Sequence, residues 1–168
     1  MTTDFHASKA TEQLDRVLGF FDRAESKASF LFAVDTGLLA LIALNLRLDD
    51  FNVWYVVLLG ASATLLIGAS LVCLFHSTVP NLKGGGDSLI YFREISKKTE
   101  AKFIDDFLAL NKEDFTRDVL GQVWRNSEIL NAKFNSVRYA FIWTALALFP
   151  WTAFIGAVSI LHSKLALG

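Results

Sequence analysis

The sequence has little cysteine and little histidine, and what it has is scattered. Cys73 is the one cysteine in 168 residues, so the chain has no internal disulfide and no cysteine cluster for a metal. The three histidines, His6, His76 and His162, lie far apart, without metal-ligand spacing and without a nucleophile nearby. The chain is therefore predicted not to be an enzyme and to hold no metal and no cofactor.

Excess charge of either sign is also absent. The net charge is −1, and the ten Lys and Arg residues between residues 77 and 138 are balanced by a similar number of acids. A nucleic-acid-binding domain would be basic overall, so no nucleic-acid partner is predicted. The first 27 residues mix both signs without a short basic region before an apolar core. The first apolar segment is therefore expected to remain in the mature protein.

Two segments, residues 51–75 and 139–161, contain no Asp, Glu, Lys or Arg over 25 and 23 positions. A bilayer core about 30 Å thick needs about 20 apolar residues in a helix, so both can span a membrane. A third segment, residues 28–46, is interrupted only by Asp35 and Asn45 and is taken as the first span. The alternative is a soluble helical bundle, although buried helices of soluble proteins rarely stay uncharged over 20 residues.

Fourteen of the sixteen Lys and Arg residues precede the first span or lie between the second and third spans. Positive charge accumulates on the cytoplasmic side, which predicts that the N-terminus and the central segment are cytoplasmic. The predicted segments are a cytosolic amphipathic helix (1–27), the first two transmembrane helices (28–76), a cytosolic helical sensor segment (77–138), the third transmembrane helix (139–162) and an outer tail (163–168).

The cytosolic segments have helical periodicity and no strand pattern. Residues 8–27 form an amphipathic helix that is expected to run into the first span. A loop at Gly84-Gly85-Gly86 precedes a helix predicted over 89–110. Asn111, with Asp114 three residues later, is a predicted N-cap. The predicted fold is all-α: three transmembrane helices with a cytosolic helical bundle.

No Gly or Pro interrupts residues 122–149, so one helix is expected to run from the cytosolic bundle into the third span. A change at one end of a rigid helix can tilt or rotate the other end, as in a sensor coupled to a membrane response. A long helix that merely avoids a loop is the equally weighted alternative.

Asp35 is the candidate for a membrane mechanism. It lies seven residues inside the first span, about 10 Å deep at 1.5 Å per residue. An intramembrane carboxylate is costly and usually faces a bundle interior or water. Asp35 can stay protonated, pair with another helix or line a path in an oligomer; the alternative is a carboxylate that reaches water at the cytosolic surface.

Small residues recur at a spacing of four on the second span, at Gly60, Thr64 and Gly68, and on the third span, at Thr152 and Gly156. This spacing lets helices approach closely, within one chain or between chains. A chain with three spans would have to assemble to form a pore, which favours a homo-oligomer.

A family resemblance extends over nearly the whole chain. The segment Arg23-Ala24-Glu25-Ser26-Lys27-Ala28-Ser29 resembles the Ala-Asp-Thr-Lys-Ala motif of the transmembrane effectors of Pycsar, the bacterial pyrimidine cyclase antiphage system. Further positions match later motifs of the family in order and approximate spacing: Pro80, Ser88-Leu89-Ile90-Tyr91-Phe92, Ile95, Gln122, Ser127, Asn131, Ala132, Lys133 and Phe134.

The resemblance implies that a partner cyclase makes cyclic CMP or cyclic UMP, which binds the cytosolic bundle. The effector, in the bacterial inner membrane, then impairs that membrane, and the infected cell stops growing. The alternative is a ligand-independent membrane scaffold or small oligomeric channel.

A cyclic mononucleotide needs donors for its phosphate. Gly85, Gly86 and Ser88 offer backbone N–H groups at a helix start, although such a loop is more often a linker. Basic side chains are further candidates, against the alternative of solvated or membrane-anchoring charges. These candidates are Arg93, Arg125 and Lys133.

The base needs a stacking surface and a partner for its edge. Tyr91 and Trp124 are the predicted stacking residues, and Gln122 or Asn126 the predicted edge readers. The alternative is that both aromatic side chains pack between helices.

Overall fold

The computed structural model describes residues 2–79 and 86–167, and the side chains of residues 5–79 and 86–163. Within these residues every regular element is a helix and there is no strand. The predicted all-α class is confirmed. Gly85 and the preceding loop residues lie outside the described part of the chain, as do Gly168 and the side chains of residues 164–167 in the predicted outer tail.

Five α-helices follow one another in residues 2–79 and 86–167, with a short 3₁₀ helix at Leu48–Asn52 between the first two. They are α1 (Thr2–Asn45), α2 (Trp54–Thr78), α3 (Phe92–Ile95), α4 (Glu100–Leu108) and α5 (Lys112–Leu167). Helices α1, α2 and α5 are each long and apolar enough to cross a membrane, which confirms the three predicted spans.

The chain divides into two compact units. One, here called the polar unit, comprises Met1–Ala24 and Pro80–Lys133, and the other, the membrane unit, comprises Glu25–Val79 and Phe134–Gly168. Helices α1 and α5 each contribute residues to both units. The placement of either unit on one side of a membrane stays a prediction.

Helices α1 and α5 are both continuous, as the sequence predicts. The Asn111 side chain begins α5: its Oδ1 accepts from the backbone N of Asp114 at 2.8 Å, and its Nδ2 donates to Asp114 Oδ2 at 2.6 Å. Pro150 lies inside α5 without ending it. Proline is tolerated within membrane-spanning helices because neighbouring groups satisfy the carbonyl it leaves unpaired.

The single helix predicted over residues 89–110 is wrong, because the structure divides it into α3 and α4. Ser88 Oγ accepts from the backbone N of Ile90 and Tyr91, which holds the residues before Phe92 outside a helix. Thr99 is extended (φ −73°, ψ 153°), and its side chain caps α4. Threonine favours caps over helix interiors, and here this preference outweighs the apolar periodicity.

The membrane unit has two apolar clusters. The larger joins α1, α2 and α5 through buried side chains: Leu38, Ile42, Val56, Ala63, Ile67, Ala147, Phe154 and Val158. A smaller one joins the same helices at Ala28, Leu31, Leu74, Val137 and Ala140.

The polar unit has a much smaller core. Ala10 and Leu14 of α1 contact Val119 of α5, and Ile90, Phe115 and Val123 pack around them. Helices α3 and α4 contribute no buried residue.

Candidate functional site

A buried polar contact organises one side of the polar unit. Gln122 Nε2 donates to Ser88 Oγ at 3.0 Å, and the two residues are 6% and 5% exposed. Asp118 Oδ2 accepts from the backbone N of Leu89 at 2.9 Å. One turn of α5 therefore fixes the segment that leads into α3.

An open cavity of about 590 Å³ adjoins this contact. Its volume is within the range of roughly 300–1,000 Å³ that is usual for small-molecule sites. The lining residues are Gly86, Asp87, Ser88, Leu89, Leu110, Asp114, Arg117, Asp118, Gly121, Gln122, Trp124 and Arg125.

Helix α5 forms most of the cavity wall. Arg117, Gly121 and Arg125 are spaced by four residues and therefore follow one face of the helix. Gly121 has no side chain, and a Cβ placed there would meet nothing within 4 Å, so the wall is open between the two arginines. Trp124, 64% exposed, presents its indole at the edge of the cavity.

The cavity also has three carboxylates, of which two accept hydrogen bonds within the protein. Asp114 accepts from Asn111, and Asp118 accepts from Leu89. Arg125 Nη1 lies 3.2 Å from Glu128 Oε2, at the exposed surface.

Asp87 has a positive φ of 58°, which non-glycine residues adopt rarely and which occurs more often at functional sites. Its backbone N–H donates to the Glu94 carboxylate. The hydrogen bond from Lys97 to Glu94, at 2.6 Å, is the main cause of a lowered pKa of Glu94. The strained turn at Asp87 is thus hydrogen-bonded to the Glu94 carboxylate, which is ionised at neutral pH.

Half of the predicted ligand residues line this cavity. They are Gly86, Ser88, Gln122, Trp124 and Arg125. Their contact with a ligand stays a prediction.

Four other predicted ligand residues lie elsewhere. The Tyr91 ring packs edge-on against Phe92, with centroids 5.0 Å apart. Asn126 Nδ2 donates to the Gln122 carbonyl at 2.8 Å, and Lys133 Nζ lies 5.7 Å from the Phe21 ring centroid. Arg93 is on α3 and does not line the cavity, and Gly85 lies outside the described residues.

Sequence reasoning missed Arg117 and Asp118. The spacing of Arg117, Gly121 and Arg125 was a usable signal, because it places two guanidinium groups on either side of a gap. The contact between Asp118 and Leu89 joins residues 29 positions apart and leaves no comparable pattern.

Asp35 lies at a buried junction of three helices in the membrane unit. It is 0% exposed and accepts hydrogen bonds from Ser70 Oγ of α2 at 2.6 Å and Thr144 Oγ1 of α5 at 2.8 Å. The two hydroxyl oxygens are 2.9 Å apart. The interpretation of Asp35 as a carboxylate that reaches water is wrong. The structure shows instead that Asp35 is hydrogen-bonded to side chains of two other helices.

A second buried carboxylate lies in the turn between α1 and α2. Asp50, 1% exposed, accepts from the backbone N of Arg47 at 2.7 Å, and His162 Nε2 lies 3.0 Å from its Oδ1. Burial alone raises the pKa of Asp50, but the hydrogen bonds from Arg47 and His162 outweigh it and lower the pKa below its ordinary value. No local sequence pattern indicates this contact, since 112 residues separate the two side chains.

The small residues of the spans have different surroundings. A Cβ on Gly60 would lie 3.2 Å from two ring atoms of Phe154, so this glycine permits a close contact within the chain. The Thr64 hydroxyl donates to the Gly60 carbonyl at 2.8 Å. A Cβ on Gly68 or Gly156 would meet nothing within 4 Å, which leaves both faces open.

The fold, the cavity and the Asp35 site together define a class of protein. It is an all-α protein in which three helices are able to cross a membrane and enclose a buried carboxylate, and its polar unit has an open cavity. A family model described as the Pycsar effector protein domain matches residues 9–161. The chain belongs to the Pycsar effector family, and membership indicates an effector of antiphage defence. Comparison with curated proteins and with solved structures gave no match.

Proposed function

We propose that the protein is an antiphage effector whose polar unit binds cyclic CMP or cyclic UMP made by a partner cyclase. Binding then leads to impairment of the bacterial inner membrane and arrest of the infected cell. The observation that carries the proposal is the cavity beside Ser88 and Gln122, which combines two arginines, an exposed indole and a buried amide.

The cyclic phosphate carries one negative charge, and Arg117 and Arg125 are its proposed partners. Both line the cavity, separated by the gap at Gly121. A guanidinium presents a planar pair of donors that suits phosphate oxygens. One carboxylate oxygen of Asp114 and one of Asp118 already accept hydrogen bonds, from Asn111 and Leu89, and are therefore engaged within the protein.

The pyrimidine is proposed to stack on Trp124 and to be read by Gln122. Stacking of a base on an aromatic side chain stabilises binding by about 1–3 kcal/mol. The Gln122 amide nitrogen is used by Ser88, and no hydrogen bond within the described residues occupies its Oε1. That oxygen is suited to accept from the N4 amino group of cytosine or the N3–H of uracil.

Helices α1 and α5 are the proposed route to the membrane response, since each contributes residues to both units. They meet at the Asp35–Thr144 hydrogen bond. A rotation of either helix would separate the Asp35 carboxylate from its hydrogen-bond donors. This separation costs free energy, because few water molecules are present within a membrane to replace those donors. The proposed active form is a homo-oligomer, with the N-terminus and the polar unit in the cytoplasm.

A thermal melt of the detergent-purified protein tests ligand binding. Cyclic CMP, cyclic UMP, cyclic AMP and cyclic GMP are compared at matched concentrations. A ligand at one hundred times its Kd stabilises by about 2.7 kcal/mol, which gives a visible shift. A shift with one cyclic pyrimidine nucleotide alone supports the proposal. No shift with any of the four, in folded protein, would favour a ligand-independent scaffold or channel.

Two matched variants locate the ligand. Trp124→Ala removes the proposed stacking surface, and Leu120→Ala shortens another half-exposed side chain of α5 that does not line this cavity. The first is expected to weaken binding by roughly 5- to 100-fold, and the second to leave it unchanged. Equal effects of both would place the ligand elsewhere.

A further inference from the structure

The membrane unit has a groove of about 560 Å³ that the proposed function does not use. Lys27 and Phe30 of α1 line one side, and Phe134, Arg138 and Phe141 of α5 line the other. The lining positions on each helix are three or four residues apart, as expected of two facing helical surfaces.

The groove is apolar inside and basic at one end. Leu31 and Val137, each 6% exposed, belong to the buried cluster beneath it, while Phe30 and Phe141 are 68% and 63% exposed. Lys27 Nζ lies 5.6 Å from the Phe134 ring centroid, which holds its charge beside the apolar wall.

Lys27 and Arg138 lack an acidic partner in the part of the chain that the structure describes. Among the described residues no carboxylate forms an ion pair with Lys27 or Arg138. Both side chains are exposed. They differ in this respect from Lys97 and Lys98 of the polar unit, which pair with Glu94 and Asp106.

The position of the cations along the helices matches a membrane boundary. Lys27 is eight residues before Asp35, and Arg138 is six residues before Thr144, which correspond to about 12 and 9 Å of helix. Asp35 and Thr144 are hydrogen-bonded, so the cations lie on the same side of one layer. The apolar stretch of α1 begins directly after Lys27.

We infer that this groove binds one anionic glycerophospholipid. Its phosphate-bearing headgroup contacts Lys27 and Arg138, and an acyl chain lies along the groove between Phe30 and Phe141. Basic pockets between spanning helices at the cytoplasmic side bind anionic headgroups. In this groove, Lys27 and Arg138 supply the positive charge that complements the phosphate of the headgroup. The inference does not depend on nucleotide binding, because its observable is a bound lipid.

Native mass spectrometry of the detergent-purified chain tests the inference. Phosphatidylglycerol and phosphatidylcholine with identical palmitoyl and oleoyl chains are titrated separately, so that only the headgroup differs. The first molecule of phosphatidylglycerol to bind is expected to do so roughly 30-fold more tightly than phosphatidylcholine. Each of the two cations contributes about 5-fold to this ratio. Equal affinities would overturn the inference.

Substitutions then assign the site. Lys27→Gln with Arg138→Gln should remove the preference for phosphatidylglycerol, while Arg23→Gln with Lys102→Gln removes two exposed charges outside the groove and should keep it. Retained preference in the first pair would overturn the assignment, and a melting curve confirms that each pair is folded.

The apolar wall has its own matched pair on α5. Phe141→Ala should weaken both lipids by a similar factor, whereas Phe149→Ala, 76% exposed and outside the groove, should weaken neither. If Phe141→Ala instead converts a dimer into monomers without changing lipid binding, the occupant is a second copy of the chain and the inference is wrong.

Discussion

The two units are stabilised in different ways. In the membrane unit three helices share a large apolar cluster and a buried hydrogen-bonded triad of Asp35, Ser70 and Thr144. In the polar unit, the apolar cluster between α1 and α5 has three buried residues, and α3 and α4 add none. Segments with few buried apolar contacts open at low free energy. The polar unit is therefore where a ligand can contribute a large fraction of the local stability, while the membrane unit is ordered by its own side chains.

Packing against Gly60 is expected to matter most for the stability of the membrane unit. Gly60→Leu places a side chain where a Cβ alone would lie 3.2 Å from Phe154, and overpacking should cost roughly 3 kcal/mol. Gly68→Leu points into open space and should change the stability by less than about 0.5 kcal/mol. Unfolding in mixed micelles measures both.

The same pair reports on assembly. If the open face at Gly68 lies between subunits, Gly68→Leu should shift the oligomer in detergent while the fold is retained, as seen by size-exclusion chromatography with light scattering. Equal destabilisation by both substitutions would contradict the distinction between an internal and an open glycine.

The next effect concerns the buried triad. Asp35→Ala removes the acceptor of Ser70 and Thr144 and should cost roughly 2 kcal/mol, partly offset because the two hydroxyls can bond each other. The protein should still insert, and its toxicity in cells that make the cyclic nucleotide should fall. Thr36→Ala is the matched control, since the Thr36 hydroxyl bonds only carbonyls of its own helix. Undiminished toxicity of Asp35→Ala would remove Asp35 from the mechanism.

A smaller effect depends on pH. The pKa of Asp50 is lowered in the folded protein, so its contribution to stability is present above about pH 4, the ordinary pKa, and is lost as the pH falls through the folded value. Asp50→Asn should cost about 1.5 kcal/mol at neutral pH and flatten the loss of stability in acid.

Asp49 supplies the control for this substitution. It is adjacent in sequence but exposed, so Asp49→Asn should leave the stability at neutral pH unchanged. Thermal melts between about pH 3 and 7 measure the difference. If Asp50→Asn loses stability in acid to the same extent as the unsubstituted protein, carboxylates other than Asp50 cause the acid dependence.

Helix caps in the polar unit are expected to contribute least to stability. Asn111→Ala removes a cap with a 2.8 Å hydrogen bond and should cost about 1 kcal/mol. Thr99→Ala removes a cap whose hydrogen bond is 3.4 Å long, so it should cost less. Hydrogen exchange of the first turns of α4 and α5 distinguishes them, and a larger effect at Thr99 would contradict the assignment.

Much of the fold was predictable because it depends on local patterns. Two spans were identified by the absence of charged residues and the first by a single carboxylate, and absence of Gly and Pro over residues 122–149 indicated a continuous α5. The Asn111 cap was predictable from a spacing of three residues. The division between α3 and α4 was not, because the cap at Thr99 competes with an apolar periodicity that favours one helix.

The sites were less predictable because they combine distant segments. The contacts of Ser88 with Gln122 and of Asp50 with His162 join residues 34 and 112 positions apart, and no local pattern specifies either. Asp35 was recognisable as unusual, since carboxylates are rare in spans. Its partners Ser70 and Thr144 were not recognisable from the sequence, because only the packing of α1, α2 and α5 brings them to Asp35.

Hydrogen–deuterium exchange with and without cyclic CMP and cyclic UMP tests the central claim that a ligand in the polar unit alters the membrane unit. Protection is expected at residues 86–91 and 117–125 with the bound nucleotide, together with changed exchange in the α1 and α5 segments around Asp35 and Thr144. In Trp124→Ala both changes should disappear. Protection around the cavity without any change near Asp35 would contradict the coupling, and no protection in either unit would contradict ligand binding itself.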